Sequence, residues 1–371
     1  MKVLIKSLFY LYIFAAVILP PLPYKIYLFV LLSFLYLLAI LKAGSISPDI
    51  ADPLVILIIF LVYFLYGLLG NSKFQEGFQL CFSLSFLLLF PFARQYSIDI
   101  ARPLFWASII VSLLVIMFYG IYFLNENAFR LLLDYFIRNR LGRLGLRQFG
   151  RLSLPMVFFV SSPILLISFL IGIGELMDKF SVKGATFNVL IMIGIALSGS
   201  RGLILAAAFG VVVVTIIKRR TGVFTILLIM IISVMIIYGD KLQVALSSKD
   251  LSNAIKLGHW QSFLSYINIK TILVGDGLAA HYFSKGYNAY TYQTELTAVD
   301  LVRYFGIPNT FIVFLLLFFR RGRLYHRDKI SLIIFIIYLA DAMTNPLLLN
   351  STGMIVVFWY WQRADPKCSD A

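Results

Sequence analysis

Along most of the chain, apolar residues follow one another without the polar position every third or fourth residue that marks a helix on a soluble surface. Such runs occupy about 4–19, 23–41, 52–69, 78–92, 103–124, 154–174, 185–198, 202–217, 222–238, 309–319, 330–344 and 347–361. A hydrocarbon core of about 30 Å is crossed by roughly 20 apolar residues in a helix. The pattern therefore predicts an all-α integral membrane protein with about a dozen transmembrane helices, forming a single polytopic domain over 1–371. The last two runs are interrupted by Asp341, Asn345-Pro346 and Asn350-Ser351, which favours a broken pair over one tilted span. The first run follows Lys2 and Lys6 and resembles a signal peptide. No small-residue cleavage site follows Pro20-Pro21, so it reads as a retained helix.

Two long polar interruptions divide this pattern, at 125–153 and 239–308. In the second, Ile255–Ile267 repeats Ile, Leu, Trp and Phe at helical spacing, while Gly275-Asp276-Gly277 and Gly286 mark turns. A short helical cap over the bundle is expected there. No internal repeat or separate soluble domain breaks the chain.

Composition agrees with the pattern, since 61% of the residues are hydrophobic and only 13% are charged. No soluble domain of this length could hide so much apolar surface, so a bilayer must solvate it. The net charge of +15 adds a second point. With both termini inside, Lys218, Arg219 and Arg220, and the cluster Arg320, Arg321, Arg323, Arg327 and Lys329, fall on the cytoplasmic face, as orientation by positive charge requires. Yet Arg130, Arg138, Arg140, Arg143, Arg147 and Arg151 fall in the external 125–153 loop. Positive charge kept on that side against the rule points to an anionic substrate, or to an amphipathic helix lying on anionic headgroups. A nucleic-acid partner is not expected. Cys81 in an apolar run and Cys368 in the tail lie too far apart in topology to pair or to build a metal site.

Candidate chemistry collects on the external face. Ser198-Gly199-Ser200-Arg201-Gly202 is a tight turn between two apolar runs, and its small residues leave Arg201 projecting from a helix terminus. A guanidinium there can fork onto phosphate oxygens as a lysine cannot, although a snorkelling turn residue has the same pattern. The second group runs from Gly258-His259-Trp260 through Gly275-Asp276-Gly277, His281 and Thr294-Glu295-Leu296 to Arg303-Tyr304-Phe305-Gly306-Ile307-Pro308. The tyrosines Tyr282, Tyr287, Tyr290 and Tyr292 could stack on sugar faces or form a membrane belt. No Walker loop, His-Glu-x-x-His, Cys-x-x-Cys or Gly-x-Ser-x-Gly sequence occurs, so no cofactor or metal is expected.

The order of these stations resembles the superfamily of O-antigen polymerases and O-antigen ligases: many helices, an external Ser-x-Ser-Arg-Gly turn, one large loop, and Thr-Glu-Leu followed by Arg-x-x-Gly-Ile. The resemblance covers about 198–308 and the rest only through topology. Ligases of that superfamily typically carry a His-Asn pair where this chain has Glu295-Leu296, which moves the resemblance towards the polymerase (Wzy-type) branch. A ligase, or a flippase for the same lipid-linked oligosaccharide, is the alternative. A flippase should show two similar halves and charges inside the bundle.

What the resemblance implies is a GT-C-like polytopic bundle in a bacterial inner membrane, with 125–153 and 239–308 as periplasmic loops. It implies a glycosyltransferase of lipopolysaccharide biosynthesis that joins undecaprenyl-diphosphate-linked oligosaccharide repeat units without a metal, with membrane lipid and a chain-length regulator protein as further partners. On this reading Arg201 and Ser200, helped by Arg147 or Arg151, bind the diphosphate. Glu295 or His259 acts as the base, while Gly275, Asp276, Gly277, His281 and Arg303 belong to the substrate loop.

Overall fold

A computed structural model describes residues 2–19, 24–45, 47–139, 141–149, 152–220, 251–318 and 328–364. The described chain is mostly helical, and five of its helices are long and apolar enough to cross a membrane. Its apolar run at 222–238, the residues 239–250 of the large loop, Arg140, Arg151, Arg320–Arg327 and Cys368 lie outside the described residues.

The helices begin with α1 (Lys2–Ile18), α2 (Tyr24–Ala43) and α3 (Ala51–Leu68). Then α4 (Phe74–Ser85) continues through a tighter turn into α5 (Phe90–Gln95), and α6 spans Ala101–Leu124. Further along come α8 (Pro163–Asp178), α9 (Val182–Leu197) and α10 (Arg201–Ile217). The chain closes with α13 (Thr297–Phe318), α14 (Lys329–Met343) and α15 (Ser351–Ala364). The last two are separate helices, broken where Asn345-Pro346 and Asn350 interrupt the apolar pattern.

Burial sorts these helices into layers. A helix apolar on every side must be surrounded, and α8 and α15 are: consecutive residues Pro163–Leu170 and Thr352–Gln362 are all buried. Around α8 stand α6, α9, α10, α14 and α15. Ser108 of α6 donates to Ser168 of α8 at 2.7 Å, the interhelical hydroxyl bond expected where water is absent. By contrast α2 buries only Leu32 and Tyr36, leaving Leu31, Phe34, Leu37 and Leu41 for lipid.

Two corrections to the sequence expectation concern the polar interruptions. The stretch 125–153, expected as a loop, folds as the amphipathic helix α7 (Glu126–Arg138), capped by Asn125 accepting from the Ala128 amide, and then as a hairpin. Strands β1 (Gly142–Phe149) and β2 (Leu152–Phe159) pair antiparallel, Gly142 opposite Phe159 and Phe149 opposite Leu152. The hairpin is a small addition to a fold that is otherwise mostly helical, as expected, and the run at 154–174 begins as a strand, becoming helical only at Pro163. Pro155 is tolerated because a two-stranded sheet has nothing but edges.

The large loop carries α11 (Leu251–Tyr266), the short α12 (Ile269–Leu273) and a second hairpin, β3 (Tyr282–Ser284) with β4 (Ala289–Thr291). Helix α13 starts well before the run at 309–319. It is kinked at Gly306, whose φ of 71° is open to glycine at little cost, so residues 297–308 are helix instead of loop. Both hairpins, α7, α11 and α12 gather with the α9–α10 turn at one end of the bundle, the capped end. At the other end stand ion pairs: Arg94 with Asp49, Lys218 with Asp178, and Arg363 with Asp99.

Candidate functional site

At the capped end a cavity of about 770 Å³ opens between α4, β1–β2, the α9–α10 turn, α11, the loop before α13 and the α14–α15 connection. Arg201 and Ser200 line it, as does Glu295. Residues 95 positions apart in sequence, singled out there separately, thus share one chamber.

Arg201 owes its place to the turn preceding α10. Gly199 takes a φ of 68°, and Met156 of β2 lies against it so closely that a side chain would collide. Ser200 then caps the helix, its hydroxyl accepting from the Leu203 amide. Arg201 is therefore the first residue of α10, where the helix dipole and the terminal amides already favour an anion. Gly202 follows without a side chain because Asp341 of α14 lies behind it, 2.7 Å from where a Cβ would stand. Asn345 holds that carboxylate from the same helix end, at 3.2 Å.

Glu295 is buried and meets Arg143 of β1 across the cavity wall, Nη1 to Oε1 at 2.6 Å. The arginine side chain is 54% exposed and the glutamate 5%. Tyr287, at the turn of the second hairpin, interacts with the same guanidinium. Burial and the charge of Glu295 raise its phenol above the usual range, although Arg143 pulls the other way. Lys256 from α11 adds to Arg143 and Arg201, so among the described residues the cavity is lined by three basic side chains and the carboxylate of Glu295.

His259 stands behind this group and does not line the cavity. It is fully buried, its Nδ1 2.5 Å from the Ser284 hydroxyl and its ring edge-on to Tyr287 with centroids 4.4 Å apart. Burial holds its pKa below the usual 6.5; Glu295 acts to raise it and Arg143 to lower it. Its Nε2 has no hydrogen-bond partner among the described residues.

Tyr292 also lines the cavity, whereas His281, the Gly275–Gly277 turn and Arg303 do not. His281 bonds Glu76 of α4 through Nε2, and its backbone exchanges two bonds with the Asn71 side chain, tying the second hairpin to the α3–α4 turn. Gly275-Asp276-Gly277 is a clasp. The amides of Asp276 and Gly277 donate to the carbonyls of Arg303 and Tyr304, and the next amide, of Leu278, donates to Tyr63 of α3 at 2.8 Å. Arg303 is fully buried, bonded to the carbonyls of Ala280 and Tyr292 and to Asp300 at 3.1 Å, with the Tyr282 and Tyr304 rings on its faces. It supports the loop from within and does not reach the chamber. Arg147 stands opposite Leu154 in the first hairpin.

Sequence reasoning did not single out Arg143, Lys256 or Asn345 for the site, and it named Tyr287 only for stacking on sugars. Arg143 was one arginine among six in its loop, and only the pairing of β1 with β2 places it against Glu295.

Compared with protein-family models, with curated proteins and with solved structures, the chain gives no match.

Proposed function

We propose that the protein is an O-antigen polymerase-type glycosyltransferase of a bacterial inner membrane. It would join oligosaccharide repeat units carried on undecaprenyl diphosphate, with both termini cytoplasmic, about twelve helices spanning and the capped end periplasmic. The observation that carries the reading is the cavity lined by Arg201, Arg143 and Lys256 together with the buried carboxylate of Glu295.

Transfer from a lipid diphosphate needs two things: positive charge where the leaving diphosphate develops its own charge, and a base for the attacking hydroxyl. A sugar diphosphate is already activated, so no nucleotide is required. Arg201 at the start of α10 supplies the first, seconded by Lys256, and Glu295 the second. As the acceptor oxygen bonds to the anomeric carbon, its proton passes to Glu295. The carbon–oxygen bond to the diphosphate breaks, and the electron pair leaves on the diphosphate oxygen. Gln79, Ser83, Asn253, Gln293 and Asn350 on the remaining walls are uncharged donors and acceptors suited to sugar hydroxyls.

The test is elongation by purified protein in lipid nanodiscs supplied with lipid-diphosphate-linked repeat units. The expected product is a ladder of polymer from the wild type and none from Glu295→Gln, which keeps shape and loses the proton acceptor. In cells, loss of the gene should leave lipopolysaccharide capped with a single repeat unit. Loss of every repeat would point instead to a ligase or a flippase.

A further inference from the structure

We propose that Arg143 is a latch on Glu295 that the substrate itself displaces. Without substrate the guanidinium holds the carboxylate; an arriving diphosphate draws Arg143 onto its own oxygens and leaves Glu295 able to take the acceptor's proton. The inference rests on the reading of this cavity as a lipid-diphosphate site with Glu295 as base.

The two partners differ in how they are held. Glu295 is 5% exposed and stands in a braced segment. The Thr294 amide donates to Asp300 at 2.7 Å, the Leu296 amide to the Thr294 hydroxyl at 3.1 Å, and the Thr297 hydroxyl to the carbonyl of Asn345 at 2.6 Å. Arg143 is 54% exposed, on a long side chain rising from a two-stranded hairpin at the cavity wall. When a stronger anion enters, the arginine is the member that can swing. A diphosphate offers several oxygens to the planar fork and more charge than one carboxylate, so it competes well for the guanidinium.

The consequence is chemical. Paired with Arg143, the carboxylate oxygen is held by the guanidinium and is not offered to the acceptor hydroxyl. With the cation turned onto the diphosphate, that oxygen is open to the hydroxyl, and a neighbouring anion favours uptake of its proton. Among the described residues, the other charged or titratable groups near it are Tyr287 and His259, with Arg201 and Lys256 on the cavity wall. The ion pair to it comes from Arg143. The base is thus uncovered only once the donor is bound, which couples the two substrates in order. Arg143 acts through Glu295 and is a positioning residue as well as a diphosphate contact.

Inorganic pyrophosphate serves as the probe. Its binding to the purified protein is followed by titration calorimetry near pH 6 in two buffers of different ionisation heat, which gives the protons taken up per binding event. Wild type minus Glu295→Gln cancels protons exchanged by the pyrophosphate, and a net uptake by the wild type is expected. In Arg143→Gln, binding should weaken about tenfold and the uptake should vanish. Arg143→Lys, checked for an unchanged melting temperature, should bind more weakly than wild type and keep part of the uptake. No difference between wild type and Glu295→Gln, or pyrophosphate binding unchanged in Arg143→Gln, would overturn the latch. With lipid-linked substrate, the acid limb of kcat should lie at higher pH than that of kcat/KM in the wild type, and the two should merge in Arg143→Gln. Absence of elongation by the wild type would refute the proposed function, while the calorimetry would still decide the latch.

Discussion

At the capped end, the Arg303–Asp300 and Arg143–Glu295 pairs have the same chemistry and opposite settings. Arg303 and Asp300 are sealed, at 0% and 1% exposure, with guanidinium bonds running to backbone carbonyls of the loop and aromatic rings covering its faces. Arg143 and Glu295 sit at a cavity wall with one member open to it. A guanidinium enclosed by carbonyls and rings has no room for a ligand and serves to fix the chain, whereas one shared between a carboxylate and an open chamber can change partners. Exposure, more than residue type, separates the sealed pair from the one open to the cavity.

That contrast is broken most directly by removing each arginine. Arg303→Ala leaves Asp300 buried without its cation and should cost about 3–5 kcal/mol, enough to prevent accumulation of folded protein. Arg143→Ala removes a half-exposed partner and should cost about 1 kcal/mol or less. Melting temperatures of detergent-solubilised protein measure both. Equal losses would abolish the distinction between the two regions.

Arg201 sharpens it from the side of activity. With the charge at the start of α10 gone, Arg201→Ala should lower elongation by roughly 10²- to 10³-fold while insertion and melting are kept. Arg201→Lys should recover only part, because the planar fork is lost. Full polymer length in both variants would remove Arg201 from the site. A smaller fall, about tenfold, is expected from Gly202→Ala. Its new methyl would meet Asp341 Oδ1 at 2.7 Å and shift the turn that carries Arg201 without touching the charge.

How much of this could be read from sequence follows the same line. The helices announced themselves through uninterrupted apolar runs, and the Ser198–Gly202 turn through its small residues, because both signals are local. The first hairpin did not. Leu144 and Leu146 stand two apart between Arg143 and Arg147, as period two requires, but glycine and arginine weaken a strand signal, and the stretch suited a loop or an amphipathic helix as well. Its partner strand was hidden inside an apolar run that continues as α8. The kink at Gly306 let α13 begin earlier than its apolar core suggested. Arg303 was grouped with the substrate loop on its position in a motif, since nothing local says that Ala280, Tyr292 and Asp300 close around it. Glu295 was named, but its meeting with Arg143, 152 residues away, is a property of register alone.

The smallest expected effect lies in His259, which belongs to neither pair and is sealed behind Tyr287. Its folded pKa lies below 6.5 because burial disfavours the imidazolium. In the unfolded chain the ring protonates near 6.5, so below that pH the unfolded state binds more protons than the folded one and stability must fall as the solution is acidified. Above pH 6.5 this penalty is absent. Between there and the lowered folded value the loss is at most about 1.4 kcal/mol per pH unit. Melting of the wild type and of His259→Gln from pH 7.5 to 5 isolates it: the wild type should lose stability relative to the variant on the acid side, and a constant difference would show that the ring is not held neutral. The same variant decides the base. His259→Gln should still elongate lipid-linked units, because the proposed function gives the role of proton acceptor to Glu295. Polymer from Glu295→Gln together with none from His259→Gln would transfer that role to the histidine and leave the Arg143–Glu295 pair as a second structural clasp.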